Sequence, residues 1–274
     1  MNISQSMIKG YEEYRDGTLC GIVFKAKYLD KTFPDITSAA MRLGHFFEYM
    51  VTGQLPRDGK EPKPDWTKTA LKKPEQERKT DDMLAPYKLA VINADRTKGY
   101  LSSMGMIVES TGVKKAEEGM DGIYDIYGDL GGNKVIIDLK YSGLIDNKYE
   151  LFGWGALGID GYYGERQRRH HSTQAIHYSK LFGVDEFYYL VVSSTNDKDV
   201  ELFKFDFSDN ALAAHEKRIE ETRQGIEIGK TVGFKAYPNV VRCGSCAWKT
   251  KCKSAIFYPE PKIVTVTAEE IWKS

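Results

Sequence analysis

Residues 121–140 read DGIYDIYGDLGGNKVIIDLK, and this stretch determines the predicted fold. Two strand-like runs, Ile123 to Leu130 and Lys134 to Leu139, flank Gly131-Gly132. A glycine pair suits the positive φ values of a tight hairpin turn. We therefore predict a β-hairpin that turns at these two glycines.

The hairpin register predicts a charged site. A turn at Gly131-Gly132 places Asp125 opposite Asp138, and alternation along the strand puts Asp138 and Lys140 on one side. Paired carboxylates repel one another, so we expect a compensating cation such as Mg²⁺. Lys140 would then orient the attacking water, assist its deprotonation and stabilise the developing charge.

Two alternatives remain open at this point. Lys140 could simply neutralise two surface acids on an ordinary hairpin. Asp121 and Asp129 also share the predicted strand face of Asp125, so the acid that pairs with Asp138 depends on the turn.

Helices are predicted before the hairpin. Thr37 or Ser38 can cap a helix that ends at Gly53, because its apolar residues recur at helical spacing. These residues are Leu43, Phe46, Phe47, Met50 and Val51. Residues 54–82 are rich in Pro and charged residues and predict a solvated loop or insertion, and residues 83–104 predict a second helix.

After the hairpin, Ser172 or Thr173 is predicted to open a helix that ends near Phe182. A buried strand follows from Phe187, and residues 211–225 predict a charged, exposed helix. We find no internal repeat, so residues 1–274 are predicted to form a single mixed α/β domain.

Composition narrows the functional classes. No apolar run approaches the ~18 residues of a membrane span, and we expect a cytoplasmic protein. Lysine plus arginine and aspartate plus glutamate each total 39, so net charge does not indicate a nucleic-acid partner. The four cysteines are expected to bind a metal or cluster, because cytosolic thiols stay reduced.

Three motifs resemble those of a known family. GIYD, ending at Asp125, and IIDLK, with Asp138 and Lys140, resemble motifs II and III of PD-(D/E)xK nucleases. QAIHY, with Gln174 and Tyr178, resembles the extra motif of the RecB-like branch, which includes AddB, the CRISPR-associated adaptation exonucleases and phage relatives. The resemblance extends from Cys20 to Cys252 and implies a restriction-endonuclease-like core, with a central mixed sheet flanked by helices.

The resemblance also implies roles for site residues. In GHFFE, Glu48 stands where many relatives carry histidine, so Glu48 is the expected metal ligand of this helix in preference to His45. Mg²⁺ or Mn²⁺ would be held by three carboxylates and one carbonyl, with Lys140 beside the water. These ligands are Glu48, Asp125, Asp138 and the Leu139 carbonyl. Gln174 and Tyr178, one helical turn apart, would hold the substrate strand and pack against the hairpin.

The cysteines resemble the iron-sulfur staple of AddB and the CRISPR-associated relatives. Cys243, Cys246 and Cys252 have C-x2-C-x5-C spacing, and Cys20 lies far upstream. The resemblance implies a [4Fe-4S] cluster, in preference to zinc, that joins the N- and C-terminal segments.

The implied function is a metal-dependent DNA exonuclease acting on single-stranded DNA or DNA ends, in repair, recombination, CRISPR adaptation or phage replication. If phage-encoded, it would act in the host cytoplasm.

Phosphate contacts are expected from a basic run before Gln174, and Tyr162 and Tyr163 could stack on bases. The run comprises Arg166, Arg168, Arg169, His170 and His171.

A P-loop motif is absent, so any unwinding would need a helicase or recombination partner. Two alternatives to the enzyme are a non-catalytic DNA-binding adaptor and an iron-sulfur redox sensor.

Overall fold

The computed structural model describes residues 1–34, 37–56, 59–143, 162–205, 207–238 and 240–255. The α-helices described are α1 (Gln5–Arg15), α2 (Gly21–Phe24), α3 (Ala39–Thr52), α4 (Ala85–Ser103), α5 (Tyr162–Phe182), α6 (Asp209–Val232) and α7 (Val240–Ser245). The strands are β1 (Ile3–Ser4), β2 (Ile107–Thr111), β3 (Lys114–Glu117), β4 (Met120–Ile123), β5 (Ile126–Leu130), β6 (Asn133–Ser142), β7 (Glu186–Ser193) and β8 (Val200–Phe205).

The strands form two mixed sheets. The larger sheet has the order β2-β5-β6-β7-β8, in which β6 and β7 are parallel and the other neighbours are antiparallel. The smaller sheet has the order β1-β4-β3. The mixed α/β fold predicted from the sequence is therefore confirmed.

Alternate residues of β6 enter two hydrophobic clusters on opposite faces of the larger sheet. Val135, Ile137 and Leu139 lie in a cluster with residues of α3 and α4. Ile136 lies in a second cluster with Ala175 of α5 and aromatic residues of β7. Helices thus cover both faces of the sheet, and β6 runs through its centre.

Helix α3 begins and ends at the predicted residues. The Ser38 side chain accepts a hydrogen bond from the Met41 backbone N–H at 3.2 Å, and Gly53 follows the last turn with φ 70°. A polar N-cap and a left-handed glycine satisfy groups that a helix end otherwise leaves without partners. These caps fix the length of the helix that carries Glu48.

Two helices are longer than predicted. Helix α5 begins at Tyr162, ten residues before the predicted start at Ser172. The prediction missed these first turns because they are polar and lack the apolar periodicity by which a helix is recognised. Helix α6 continues to Val232, beyond the predicted end near residue 225. Within residues 59–82, three short 3-10 helices occur, at Ala70–Lys72, Glu75–Glu77 and Thr80–Asp82.

Contacts divide the chain into two compact units. Among the described residues, one unit draws on the ranges 1–9 and 37–226 and contains the larger sheet. The other draws on the ranges 10–34 and 227–255 and contains all four cysteines. Among the helices described, none has the length and apolar character needed to cross a membrane.

Candidate active site on the central hairpin

The β5–β6 hairpin has the predicted register, but its ladder ends before the predicted pair of Asp125 with Asp138. Ile126 pairs with Ile137, and Gly131 and Gly132 have φ values of 65° and 91° in the turn. The predicted continuous strand from Ile123 to Leu130 is wrong, since the chain leaves the ladder at Tyr124 and Asp125. The two parts of that run belong to different sheets, β4 to the smaller and β5 to the larger.

Asp125 replaces the missing backbone partner of β6. Its carboxylate Oδ2 accepts a hydrogen bond from the Leu139 backbone N–H at 2.7 Å. A buried backbone N–H needs an acceptor, and the Asp125 side chain provides one where the strand pair ends. This contact holds the Asp125 carboxylate next to the segment that carries Asp138 and Lys140.

Asp138 is almost fully buried, with 2% of its surface exposed, yet both of its oxygens have donors. Oδ1 accepts from Gln174 Nε2 at 2.5 Å, and Oδ2 accepts from the Lys140 ammonium. Burial raises the pKa of Asp138, while Lys140 and Gln174 act in the opposite direction by favouring the carboxylate. The strand thus presents an acid that depends on its donors to stay ionised.

Lys140 lies on the same face of β6 as Asp138, as alternation predicts. Burial alone would lower the pKa of the Lys140 ammonium, but the carboxylates of Asp138 and Asp125 outweigh it and raise the pKa above its usual value. The Lys140 side chain is therefore a cation at neutral pH, suited to donating hydrogen bonds.

Asp125 carries the largest electrostatic cost of the cluster. Its pKa is raised well above the usual range, first by burial and then by the charges of Asp138 and Glu48, with Lys140 opposing. Glu48 in α3 is partly exposed, and its charge also acts on Lys140. The predicted acids and lysine thus form one electrostatic cluster.

The two residues of the QAIHY motif have different surroundings. Gln174 reaches Asp138, as described above. Tyr178, one turn later, is 6% exposed and packs against Phe182 and Phe187 in the cluster beneath the hairpin. A Cβ at Gly122 would lie 2.8 Å from the Tyr178 ring, so the close approach of β4 to α5 requires a glycine there.

Tyr189 is a site residue that sequence reasoning missed. It pairs with Asp138 across β6 and β7, is fully buried, and has a pKa raised well above the usual value by burial and then by Asp138. Its hydroxyl donates to the Gln174 Oε1 at 3.2 Å. A tyrosine within FYYLVVSS has the same pattern as a core residue, so the sequence carried no signal for this contact.

Other sequence candidates lie apart from this cluster. Asp121 belongs to β4, and Asp129 accepts from the Gly132 N–H and lies near Lys134. The structure thus selects Asp125 among the three acids of the predicted face. His45 is exposed on α3. Residues 162–170 lie in α5, but their side chains fall outside the described part of the chain.

The donor set suits a hard divalent cation in its chemistry. Asp125, Asp138 and Glu48 offer carboxylate oxygens. Burial, and then the charges of Asp138 and Glu48, raise the pKa of Asp125, and a cation would offset those charges. In the arrangement described, however, no group of three His, Cys, Asp or Glu residues is close enough to hold an ion, within the residues that the structure describes. Asp138 is bonded to Lys140 and Gln174 instead.

The cysteines occupy two segments of the second unit. Cys20 precedes α2, Cys243 lies in α7, and Cys246 and Cys252 flank a short 3-10 helix; all four are partly exposed free thiols. The Trp248 N–H donates to the Cys246 Sγ at 3.4 Å. Four thiols are a suitable donor set for a cluster, but the described residues do not assemble them into one.

The comparisons with known proteins identify the fold. No family model and no curated protein matches this sequence. The chain is similar to the crystal structure of a candidate exonuclease from Eubacterium rectale, with a TM-score of 0.60, 17% identity and coverage of 95% of this chain and 91% of that one. At this identity the likeness shows a shared fold.

An alkaline exonuclease from Laribacter hongkongensis also matches. Its TM-score is 0.45, with 13% identity and coverage of 84% of this chain and 92% of that one. The same exonuclease in complex with dAMP gives a TM-score of 0.44 at 15% identity.

Proposed function

We propose that this protein is a metal-dependent deoxyribonuclease of the PD-(D/E)xK superfamily, RecB-like branch, which hydrolyses phosphodiester bonds in single-stranded DNA or at DNA ends. The observation that carries the proposal is the hydrogen bond from the Leu139 N–H to the Asp125 carboxylate, which holds a second acid beside Asp138 and Lys140. The fold shared with a candidate exonuclease supports it.

The burial of Asp138 and the repulsion among the clustered acids favour a catalytic over a structural role. Repulsion and desolvation make a buried pair of carboxylates unfavourable, and such groups concentrate at functional sites. Asp138 and Asp125 both have raised pKa values, and Asp138 is 2% exposed. A hairpin that needed only a surface ion pair would not bury Asp138.

The chain's own groups have separable tasks in this proposal. Asp125, Asp138, Glu48 and the Leu139 carbonyl would hold Mg²⁺ or Mn²⁺. When bound, the ion would supply charge stabilisation and a more acidic water. The Lys140 ammonium would donate hydrogen bonds to the water or to the phosphate oxygens, and Gln174 would keep the Asp138 carboxylate oriented. Because Lys140 is charged, we assign it charge stabilisation and orientation and leave proton removal to another group.

DNA is proposed as the substrate because the basic run lies on the helix that carries Gln174. Arg166, Arg168 and Arg169 precede Gln174 by five to eight residues in α5. At 1.5 Å per residue, this spacing corresponds to about 8–12 Å along the helix axis, or about two to four phosphates of a DNA strand at ~3.4 Å each. One end of this helix segment would thus bind phosphates, and the other end, through Gln174, would contact Asp138.

The test is degradation of end-labelled single- and double-stranded DNA with Mn²⁺, Mg²⁺ or a chelator. We expect cleavage only when Mn²⁺ or Mg²⁺ is present. Asp138→Asn and Lys140→Gln should each lower kcat by at least about a hundredfold. The matched controls are Asp129→Asn and Lys134→Gln, which alter an acid and a lysine of the same hairpin away from the cluster.

Each outcome separates the candidate functions. Cleavage that is lost in the site variants and kept in the controls supports a nuclease. DNA binding without cleavage under any metal would replace the proposal with the adaptor. Activity that follows the redox state of the protein and ignores Mg²⁺ and Mn²⁺ would replace it with the redox sensor.

We further propose that Cys20, Cys243, Cys246 and Cys252 bind a structural [4Fe-4S] cluster. Gly21, beside Cys20, donates its N–H to the Lys235 carbonyl at 3.1 Å, which brings the N-terminal cysteine segment to the chain that leads into α7. The Phe33 and Trp248 rings stack at 6.1 Å between the same two segments. Anaerobically purified protein should contain about four irons per chain, and Cys243→Ser should lose them. Stoichiometric zinc without iron would refute the cluster.

A further inference from the structure

Tyr189 joins β7 to α5 directly behind the proposed catalytic strand. It pairs with Asp138 in the parallel register, and its ring lies between those of Phe187 and Phe205, at centroid distances of 5.0 and 5.3 Å. The side chain is fully buried, so its ring has a fixed position and its hydroxyl must find partners inside the protein.

The hydroxyl has two acceptors on α5. Tyr189 Oη donates to the His171 carbonyl at 3.0 Å and to the Gln174 Oε1 at 3.2 Å. The two acceptors belong to residues one helical turn apart, so one shared hydrogen restrains both the backbone of α5 and the side chain of Gln174.

The identity of the partners determines the orientation of the Gln174 amide. The amide presents its Nε2 hydrogens to Asp138, where they are donated to Oδ1 at 2.5 Å. The Oε1 atom then faces the Tyr189 hydroxyl, which donates to it. Without that donor the amide would lose its anchor, and the terminal torsion of glutamine has a broad energy profile.

The ring of Tyr189 also contacts the second proposed catalytic group. Lys140 Nζ lies over the ring, 5.3 Å from its centroid. A cation over an aromatic face is attracted by the ring quadrupole. Tyr189 therefore contributes its hydroxyl to the Gln174–Asp138 contact and its ring to Lys140, and a substitution by phenylalanine separates the two effects.

We propose that Tyr189 is a positioning residue that acts through Gln174, with its hydroxyl locking the amide in the orientation that keeps the Asp138 carboxylate in place. The effect on catalysis rests on the proposed nuclease function, whereas the locking of the amide does not. Tyr189 itself is fully buried, so a bound DNA strand would not reach it.

Tyr189→Phe is the informative variant, because it keeps the ring and removes only the hydroxyl. Tyr188→Phe is the matched control, since the neighbouring tyrosine lies on the opposite face of β7 and donates to Glu186. We expect Tyr189→Phe to lower kcat roughly tenfold, about the value of one lost hydrogen bond, and to leave KM for DNA within about twofold. Tyr188→Phe should change neither.

A double-mutant cycle tests whether Tyr189 acts through Gln174. In a Gln174→Ala background, Tyr189→Phe should have almost no further effect on kcat, because the contact it supports is already gone. The same cycle measured on Mn²⁺ affinity by calorimetry without DNA gives a readout that does not need turnover. If Tyr189→Phe lowers kcat and Mn²⁺ affinity by the same factor with and without Gln174, the two residues act independently and the proposal is overturned.

A direct readout is independent of any activity. In ¹⁵N-labelled protein, the side-chain amide pair of Gln174, assigned from its absence in Gln174→Ala, should exchange slowly with solvent in the wild type. It should exchange faster in Tyr189→Phe and stay slow in Tyr188→Phe. Unchanged exchange in Tyr189→Phe would refute the positioning role. If the amide responds as expected but the protein cleaves no DNA, only the proposed nuclease function fails.

Discussion

The rings of Phe47 and Tyr141 stack face to face, with centroids 4.4 Å apart and planes within 7°. Phe47 precedes Glu48 in α3, and Tyr141 follows Lys140 in β6. The stack therefore joins the helix that carries Glu48 to the strand that carries Asp138 and Leu139. Phe47 is 1% exposed, so the contact belongs to the hydrophobic core.

Truncation of this stack should weaken both the fold and the site. Phe47→Ala should lower the free energy of unfolding by about 3 kcal/mol, because it removes a buried ring and leaves a cavity. Urea unfolding followed by circular dichroism measures this loss. Tyr141→Phe keeps the ring and gives up only the 3.4 Å contact with Asn93, so it should cost less than about 1 kcal/mol. Equal losses would contradict a role for the stack.

Neutralisation of Asp125 should trade activity for stability. In Asp125→Asn the side-chain oxygen can still accept from the Leu139 N–H. The substitution removes the charge whose burial, and then whose repulsion by Asp138 and Glu48, raises the pKa of Asp125. We expect a gain of roughly 1 kcal/mol in the free energy of unfolding at pH 8 without metal, together with loss of cleavage. Asp129→Asn, an acid paired with Lys134, should show neither change. A destabilised Asp125→Asn would show that its charge is already compensated.

A buried histidine pair should make stability sensitive to acid. The Asp121 carbonyl accepts from His177 Nε2 at 3.1 Å. In a neutral His177 the other ring nitrogen, Nδ1, then accepts from His215 Nε2 at 3.2 Å. Burial, and then the charges of His177, Arg218 and Lys180, lower the pKa of His215 to about 3. The His177 pKa is also lowered, chiefly by burial.

Protonation therefore favours the unfolded chain. The contribution of His215 is fully present above its unfolded pKa of about 6.5 and is lost as the pH falls towards its folded value. Between pH 7.5 and pH 5 the loss from His215 should be about 2 kcal/mol, measured by urea unfolding at each pH. His215→Gln, which can still donate to His177 but does not titrate, should lose less. An equal pH dependence in both proteins would exclude the pair as the cause.

Alanine at two glycines should have opposite effects. A Cβ at Gly128 in β5 would lie 2.0 Å from the Ile107 carbonyl oxygen of β2, and a backbone atom cannot move away without breaking the strand pair. Gly128→Ala should therefore cost about 2 kcal/mol or more. Gly99 lies exposed in α4 with nothing within 4 Å of the added atom, so Gly99→Ala should stabilise by about 0.5–1 kcal/mol. Thermal unfolding of both variants tests this contrast.

The sequence predicted the elements whose patterns are local. The caps of α3, the glycine turn and the alternation of β6 follow from neighbouring residues, so their positions were foreseen. The break at Tyr124 and Asp125 was not, because it depends on a side chain that bonds a backbone group 14 residues away. The contacts of Tyr189 and the early start of α5 likewise arise from tertiary packing, which apolar periodicity does not report.

The short turn at Gly131 and Gly132 has a consequence for sequence variation. Five residues of β5 and the turn separate Asp125 from β6, so one inserted or deleted residue there would carry the acid past the Leu139 N–H and reverse the face on which its neighbours lie. Homologous chains that keep this chemistry should vary freely in loop length elsewhere and hold the spacing between the two aspartates constant. The interval between Asp125 and Asp138 can thus be used to recognise, from sequence alone, homologous chains that keep this site.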